Sequence, residues 1–168
     1  MAPTVRVLTF AVSILVAASA HNRVVAQTQS AIITRLIAII RMEQSEYVRD
    51  DLSSMLPQMV EDEQPRSLSS GTVDEIASLL ADDLDAVRAN AAAALGTIGP
   101  PAARAVPVLM RALKRAEDEF IRPGLRPGSF SGDQICEALQ RIGTPQQDTP
   151  CQFFPGTSVP GTYSGRAQ

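Results

Sequence analysis

The chain has 168 residues, of which 45% are hydrophobic and 20% are charged, enough for one modest globular domain. Its net charge of −3 argues against the strongly basic surface of a nucleic-acid-binding protein. Only 4% of the residues are aromatic and none is tryptophan, so we expect a core built from alanine, leucine, isoleucine and valine.

The N-terminus has the pattern of a secretory signal peptide. Arg6 precedes the apolar run Val7–Ala20, and small residues offer cleavage sites after Ala20 or Ala26. The apolar run is shorter than the roughly 20 residues that span a bilayer, which disfavours the alternative of a retained membrane anchor. We therefore expect residues 1–26 to direct export to the periplasm or the medium, with no stable membrane insertion after cleavage.

Histidine chemistry is nearly absent from the predicted mature chain. His21 is the one histidine, and cleavage after Ala26 removes it, whereas cleavage after Ala20 leaves it at the new N-terminus. The folded part then offers no histidine general base, no histidine-based triad and no histidine pair for zinc or iron. We expect no catalytic residue, no metal and no cofactor.

Residues 27–60 have the periodicity of helices. Four apolar residues share one helical face, namely Ile33, Leu36, Ile37 and Ile40. The apolar pattern continues through Tyr47, Val48, Leu52, Met55 and Leu56, and Pro57 is predicted to end the helix. This segment is interpreted as an N-terminal cap or degenerate repeat, with an amphipathic membrane-surface or oligomerisation helix as the alternative.

Residues 61–71 are predicted to form a linker, because they combine acids with Pro65. A helix is expected to restart after it with a capping box, in which the Thr72 hydroxyl and the Glu75 carboxylate bond the first turn reciprocally.

Acidic residues form three clusters, namely 61–63, 82–85 and 117–119. None has the glycine-punctuated alternation of oxygen ligands in an EF-hand loop. We interpret them as solvated acids of loops and helix starts rather than as calcium sites.

The segment Asp85–Gly99 predicts a helix that Asp85 caps and Gly99 ends. Its apolar residues fall on one face, namely Val87, Ala91, Ala94, Leu95 and Ile98. A turn marked by two prolines follows, and a second helix is predicted over Ala105–Leu113. The ending of the first helix recurs 44 residues later as Ala138–Gly143, a period that suits a two-helix repeat.

The second copy of the repeat is interrupted. Residues 118–122 echo the start of the Asp85 helix, but the insertion 123–132 contains two prolines and three glycines, which cannot continue a helix. The insertion lies either between the two helices of this unit or within its second helix. Phe120, Arg126 and Phe130 are candidate partner-binding residues, although an inert loop is the equal alternative.

The Asp-Ala-Val-Arg start, the alanine-rich helix and the Ala-Val-Pro-Val-Leu start of the next helix resemble bacterial HEAT repeats of the lyase-like type. The resemblance covers residues 72–143 and implies an all-α, short right-handed α-solenoid of two to three helical hairpins. It implies that Asp85 caps its helix and that Arg88 pairs with an acid of a neighbouring repeat, both as structural residues. It favours a non-catalytic scaffold for a protein partner, with a lyase-like ligand-handling protein or a membrane-anchored structural protein as alternatives.

Cys136 and Cys151 are the two cysteines of the chain. In an oxidising compartment an even count favours a disulfide, here between the last helix and the tail. The rival interpretations are a redox-active or metal-binding pair, or one cysteine buried alone. Residues 144–168 are rich in proline, glycine, serine and threonine, so the tail is predicted to be irregular.

Overall fold

The computed structural model describes residues 30–62, 68–121, 130–144 and 151, without the side chains of residues 120, 121 and 130. The described residues form six α-helices and no strand, so the predicted all-α class is confirmed. The helices are α1 (30–42), α2 (Glu46–Asp62), α3 (Ser70–Ser78), α4 (Asp85–Ile98), α5 (Val106–Ile121) and α6 (Phe130–Ile142). Short 3-10 segments follow α3 at Leu79–Ala81 and α4 at Pro100–Ala105.

Consecutive helices pair into three hairpins, which stack in two layers. Hairpin 1 is α1 with α2, hairpin 2 is α3 with α4, and hairpin 3 is α5 with α6. The second helices form one layer, in which α4 packs extensively against α2 on one side and α6 on the other. The first helices form the other layer: α3 contacts α5, and Arg41 of α1 lies 3.2 Å from Glu75 of α3. This arrangement is solenoid-like, as the sequence predicted.

The core is one continuous cluster of small and aliphatic side chains that runs through all three hairpins. The apolar face predicted for α1 is buried, and so is the face predicted for α4. Alanines at 91, 92 and 94 are completely buried, which brings the α4 backbone close to its neighbours. The low aromatic content therefore suits a stack of closely spaced helices.

The helix α2 does not end at Pro57, as the sequence predicted, but continues to Asp62. A proline inside a helix removes one backbone hydrogen bond and crowds the preceding turn. Val60 lies one turn beyond Pro57 and is fully buried in the core, and its burial favours the helical continuation. Residues 61 and 62, expected in the linker, are consequently helical.

Two predicted helix caps are wrong by one to three residues. Ser69, not Thr72, caps α3: its hydroxyl accepts from the Thr72 backbone nitrogen at 3.1 Å. Glu75 pairs with Arg41 instead of closing a capping box. At α4 the extended cap residue is Leu84, and Asp85 is the first helical residue. The Asp85 carboxylate contacts Arg88 of its own helix and Ser131 of α6.

Hairpin 3 differs from the sequence prediction at its first helix. Residues 118–121 end α5 instead of starting a new helix, because α5 runs unbroken from Val106. The insertion lies between the two helices, residues 122–129 are outside the described part, and residues 130–132 already belong to α6. The predicted repeat is visible in the helix ends: Gly99 and Gly143 both have positive φ, 69° and 95°, directly after α4 and α6.

The structure joins Cys136 of α6 to Cys151 through their sulfur atoms, with the two Cα atoms 5.8 Å apart. Cys136 is completely buried in the core cluster, so this linkage anchors the start of the tail on α6. Most of the tail, which is predicted to be irregular, lies outside the described residues, as does the predicted signal peptide. Among the helices that the structure describes, none is long and apolar enough to cross a bilayer.

Candidate functional site

A buried arginine holds hairpins 2 and 3 together. Arg88 of α4 is only 2% exposed. One guanidinium nitrogen donates to the backbone carbonyls of Asp82 and Asp83, at 3.0 and 2.9 Å. The other donates to the carboxylates of Asp85 at 2.9 Å and Glu119 of α5 at 2.7 Å. Arg88 thus pairs with an acid of the neighbouring hairpin, as the resemblance implied.

Glu119 is shared by two arginines. Its second carboxylate oxygen accepts from Nε of Arg115 at 2.8 Å, one helical turn back on α5. Arg115 also donates to the backbone carbonyl of Asp82 at 3.1 Å, the carbonyl that Arg88 reaches. Because the guanidinium groups have fixed planar donors, this network fixes the 82–84 bend relative to α5.

Asp85 connects α4 to the last helix. Its carboxylate accepts from the Ser131 hydroxyl in the first turn of α6, and Ser131 is fully buried. The Ser131 backbone nitrogen lies 3.4 Å from the second carboxylate oxygen of Asp85. Asp85 therefore links hairpins 2 and 3, whereas the N-cap position of α4 belongs to Leu84.

The acids of the 82–84 bend also bind hairpin 1. Arg49 of α2 contacts the carboxylates of Asp82 and Asp83, the latter at 2.6 Å. The hydrogen bond from Arg49, a hydrogen bond with Asp82 and the Arg49 charge lower the pKa of Asp83 from 3.8 to about 2. Within the described residues, this bend therefore contacts all three hairpins, through Arg49 of α2, Arg88 of α4 and Arg115 of α5.

The second-helix layer carries a cleft of about 280 Å³, which we call the second-helix groove. Residues of α2, α4 and α6 line it, namely Pro57, Ala93, Gly96, Thr97, Gln134, Glu137, Ala138 and Arg141. The groove is partly open to solvent.

The floor of the groove is formed by a close approach of α4 to α6. A Cβ atom at Gly96 would lie 3.1 Å from the Ala138 Cα atom and 3.3 Å from its Cβ atom. The same position lies 3.5 Å from Cδ of Arg141, whose aliphatic stem therefore covers Gly96. Small residues at the two contact positions keep the helices close and leave a shallow depression beside them.

The rim of the groove is polar. On α6 the Arg141 guanidinium lies 2.6 Å from the Glu137 carboxylate, and both side chains are about half exposed. The Thr97 hydroxyl donates to the Ala93 carbonyl at 3.1 Å, so its hydrogen is already used within α4. The groove therefore offers small apolar contacts at its floor and one charge of each sign at its α6 edge.

Two carboxyl groups of hairpin 3 are partly buried outside the groove. Glu117 and Asp133 each have one oxygen that is buried without a hydrogen-bond partner among the described residues. Burial raises the pKa of both, and for Glu117 the charge of Lys114 opposes the rise. In the part of the chain that the structure describes, no three side chains of the metal-binding types are grouped as a cation site would require.

The predicted partner-binding side chains lie outside the described part of the structure. Arg126 lies outside the described residues. Phe120 belongs to the last turn of α5 and Phe130 begins α6, but their side chains are among those not described. Their role in binding remains a prediction.

The sequence did not predict the residues of the groove. The alanine-rich helix predicted close packing, but an exposed depression beside a small-residue contact has no periodic signal of its own. The network partners Arg49, Arg115 and Ser131 were missed for the same reason, since each contact joins residues distant in the chain. Glu119 belongs to the acidic cluster 117–119. Which acid of this cluster faces Arg88 depends on the rotation of α5 about its axis, which the sequence alone does not give.

Comparison with known families gives one match. The model of the family described as HEAT repeats matches residues 33–125, more than half of the chain. Searches of curated proteins and of solved structures gave no match. The match spans the helices α1 to α5, including the Asp85–Arg88 helix start that carries the resemblance. The chain belongs to the HEAT-repeat family.

Proposed function

We propose that the protein is an exported scaffold module that binds a protein partner in the second-helix groove and carries out no chemistry of its own. HEAT repeats generally mediate protein–protein interaction or scaffolding. The groove itself carries the proposal, because it combines a small-residue floor with a charged edge on a rigid layer of helices. Such a surface suits a peptide segment of a partner protein better than a compact small ligand.

The network around Arg88 supports this proposal. A recognition surface gains affinity when its elements are already ordered before binding. Arg88, Glu119 and Arg115 tie the 82–84 bend to α5, and Asp85 ties α4 to α6. The two helices that form the groove floor are consequently fixed relative to each other.

The export part of the proposal is supported by the N-terminal pattern and by the cysteine pair. Arg6 followed by Val7–Ala20 and a small-residue cleavage site is the pattern of a signal peptide. Disulfides persist in oxidising compartments and are rare in the cytosol. The Cys136–Cys151 linkage is therefore consistent with a chain that folds after export.

Partner binding is tested by filling the groove. Thr97→Tyr places a large ring in the cleft, whereas Arg111→Tyr adds the same ring on the exposed surface of α5. We expect a partner that co-purifies with the wild type from its native cells to be retained by Arg111→Tyr and lost by Thr97→Tyr. Circular dichroism checks that both variants fold. Equal recovery of the partner with Thr97→Tyr would contradict the groove as the binding surface.

Export is tested separately by N-terminal sequencing of the protein from its native cells. A mature chain that begins at His21 or Gln27 supports export with cleavage, and labelling under denaturing conditions should find no free thiol. A chain that retains Val7–Ala20 would contradict cleavage and favour the membrane-anchored alternative.

A further inference from the structure

Exposed large apolar side chains are concentrated at one end of the stack. In the described residues, every exposed large apolar side chain belongs to hairpin 1. They are Ile32, Ile39, Met42, Tyr47, Val48 and Met55. Hairpin 1 was predicted to be an N-terminal cap of the solenoid or a degenerate repeat, or else an amphipathic membrane-surface or oligomerisation helix. Its exposed surface is not that of a polar cap.

On α1, two of these residues face away from hairpin 2. Arg41 contacts Glu75 and Ser78 of α3, so the Arg41 side of α1 faces hairpin 2. Ile39 precedes Arg41 by two residues, which places it about half a turn away around the helix. Ile32 is seven residues before Ile39 and lies on the same face. Both therefore lie on the free flank of α1.

The same reasoning holds for α2. Ser53 accepts a hydrogen bond of 2.9 Å from Asn90 of α4, so the Ser53 side of α2 faces hairpin 2. Met55 follows Ser53 by two residues and lies about half a turn away. Val48, seven residues before Met55, shares its face. Both lie on the free flank of α2.

Together these residues form one apolar surface, which we call the end face: Ile32, Ile39, Val48 and Met55. Leu52 and Met59 of α2 are partly buried against the core and extend the surface inwards. At the internal junctions of a solenoid, the corresponding flank is covered by the next hairpin. Among the described residues, nothing covers the end face.

Opposite charges border the end face. Arg35 lies three residues after Ile32 on α1, and Asp51 lies three residues after Val48 on α2. Both side chains are exposed, and neither charge has a partner among the described residues. They lie at similar distances from the turn at 43–45, one on each edge of the surface. A twofold rotation about an axis parallel to the helices would therefore place each Arg35 opposite Asp51 of a second copy.

We propose that the end face binds a second copy of this chain, in a symmetric dimer in which α1 packs against α2 of the second copy. The surface is self-complementary, with apolar residues at its centre and one charge of each sign at its edges. A membrane surface would instead select a basic border, and here Arg35 is balanced by Asp51. The dimer joins two solenoids end to end and leaves both second-helix grooves free.

The first test measures the oligomeric state of the protein by sedimentation velocity, as the native cell produces it. We expect a concentration-dependent dimer, with a dissociation constant raised about tenfold or more by Met55→Glu. Tyr47→Glu is the matched control, because Tyr47 is 82% exposed on the same helix but lies outside the end face. It should leave the dissociation constant unchanged. Equal weakening by both variants would overturn the proposal.

The second test reverses the two charges, which are both exposed, and circular dichroism checks that each variant folds. Arg35→Glu and Asp51→Arg should each weaken the dimer, and the double variant should restore it. A double variant weaker than both single variants would overturn the pairing. A wild type that stays monomeric up to about 100 µM would overturn the proposal, with residues 7–20 or another protein as the occupant of the end face.

Discussion

The junction between hairpins 2 and 3 is more deeply buried than the junction between hairpins 1 and 2. At the first, Arg88 is 2% exposed and reaches Glu119 of α5 at 2.7 Å. At the second, Arg41 and Glu75 are 47% and 41% exposed, and Arg49 is 12% exposed and binds Asp82 and Asp83 at the edge of the bend. The close contact at Gly96 also belongs to the first junction. Hairpins 2 and 3 therefore form the rigid part of the stack.

Neighbouring hairpins in one solenoid therefore need not be held together by equally strong junctions. Because the stability of a solenoid is approximately a sum over hairpins and their junctions, a weaker junction allows one end to open first. Hairpin 1 has the weaker junction and the exposed end face. A second copy on that face would supply hairpin 1 with the neighbour that it lacks in the described structure.

The largest loss in the free energy of unfolding is expected from Arg88→Met. The substitution leaves the Asp85 and Glu119 carboxylates without their shared guanidinium and removes the donors to the Asp82 and Asp83 carbonyls. Breaking a buried ion pair by removing one partner costs about 3–5 kcal/mol, so the free energy of unfolding should fall by that amount. Urea denaturation followed by circular dichroism measures it.

Arg104→Met is the control for this prediction. Arg104 pairs with Asp74 at 2.9 Å, but both side chains are at least half exposed. Exposed pairs contribute about 0–1 kcal/mol, so this variant should be close to the wild type. Similar losses in the two variants would show that burial does not determine how much these two ion pairs stabilise the fold.

A smaller loss in the free energy of unfolding is expected from Gly96→Ala. The added methyl group would meet the Ala138 backbone at 3.1 Å, and relief requires α6 to move away from α4. Overpacking of this kind costs about 1–3 kcal/mol, which outweighs the helix-propensity gain of about 1 kcal/mol over glycine.

Gly71→Ala is the matched control, since a Cβ atom there meets nothing closer than 3.7 Å. It should raise the free energy of unfolding, by up to about 1 kcal/mol. Thermal unfolding of both variants measures the changes: the melting temperature should fall for Gly96→Ala and rise for Gly71→Ala. A stabilised Gly96→Ala variant would contradict the close approach of α4 to α6.

The regular parts of the fold could be predicted from the sequence, because periodicity and helix-stop signals are local. The α1 and α4 core faces and the Gly99 and Gly143 helix ends follow from short stretches of chain. The end of α2 could not be predicted in this way, since the burial of Val60 in the tertiary core carries the helix past Pro57. The cap of α3 was misplaced because Ser69 and Thr72 are both good caps, and the choice between them depends on where the chain enters the fold.

The candidate site was less accessible to sequence reasoning. The pairing of Arg88 with an acid of the next hairpin followed from the family resemblance, but the identity of Glu119 required the phase of α5. The groove depends on the distance between α4 and α6, which no single segment encodes. The apolar pattern predicted for α2 included the exposed residues Tyr47, Val48 and Met55, and only the contacts of Arg41 and Ser53 show which flank of hairpin 1 is free.

The most local effect, on hairpin 1 alone, is expected from Arg49→Met. Arg49 holds hairpin 1 to the acids of the 82–84 bend. Its loss should accelerate hydrogen exchange of the α1 and α2 amides and leave the α6 amides unchanged, because hairpin 1 opens on its own. Equal acceleration in α6 would show that the junctions open together.

The pH dependence of the Arg49→Met effect follows from Asp83. The hydrogen bond from Arg49 is the largest of the causes that lower the pKa of Asp83 from 3.8 to about 2, so the pairing stabilises the fold fully above the ordinary pKa. That contribution is lost as the pH falls from about 4 to about 2 and the carboxylate becomes protonated. The difference in melting temperature between wild type and Arg49→Met should therefore stay constant from pH 8 to about pH 5 and shrink below about pH 4. A difference that already shrinks between pH 7 and about pH 5 would mean that Asp83 is not the acid through which Arg49 acts.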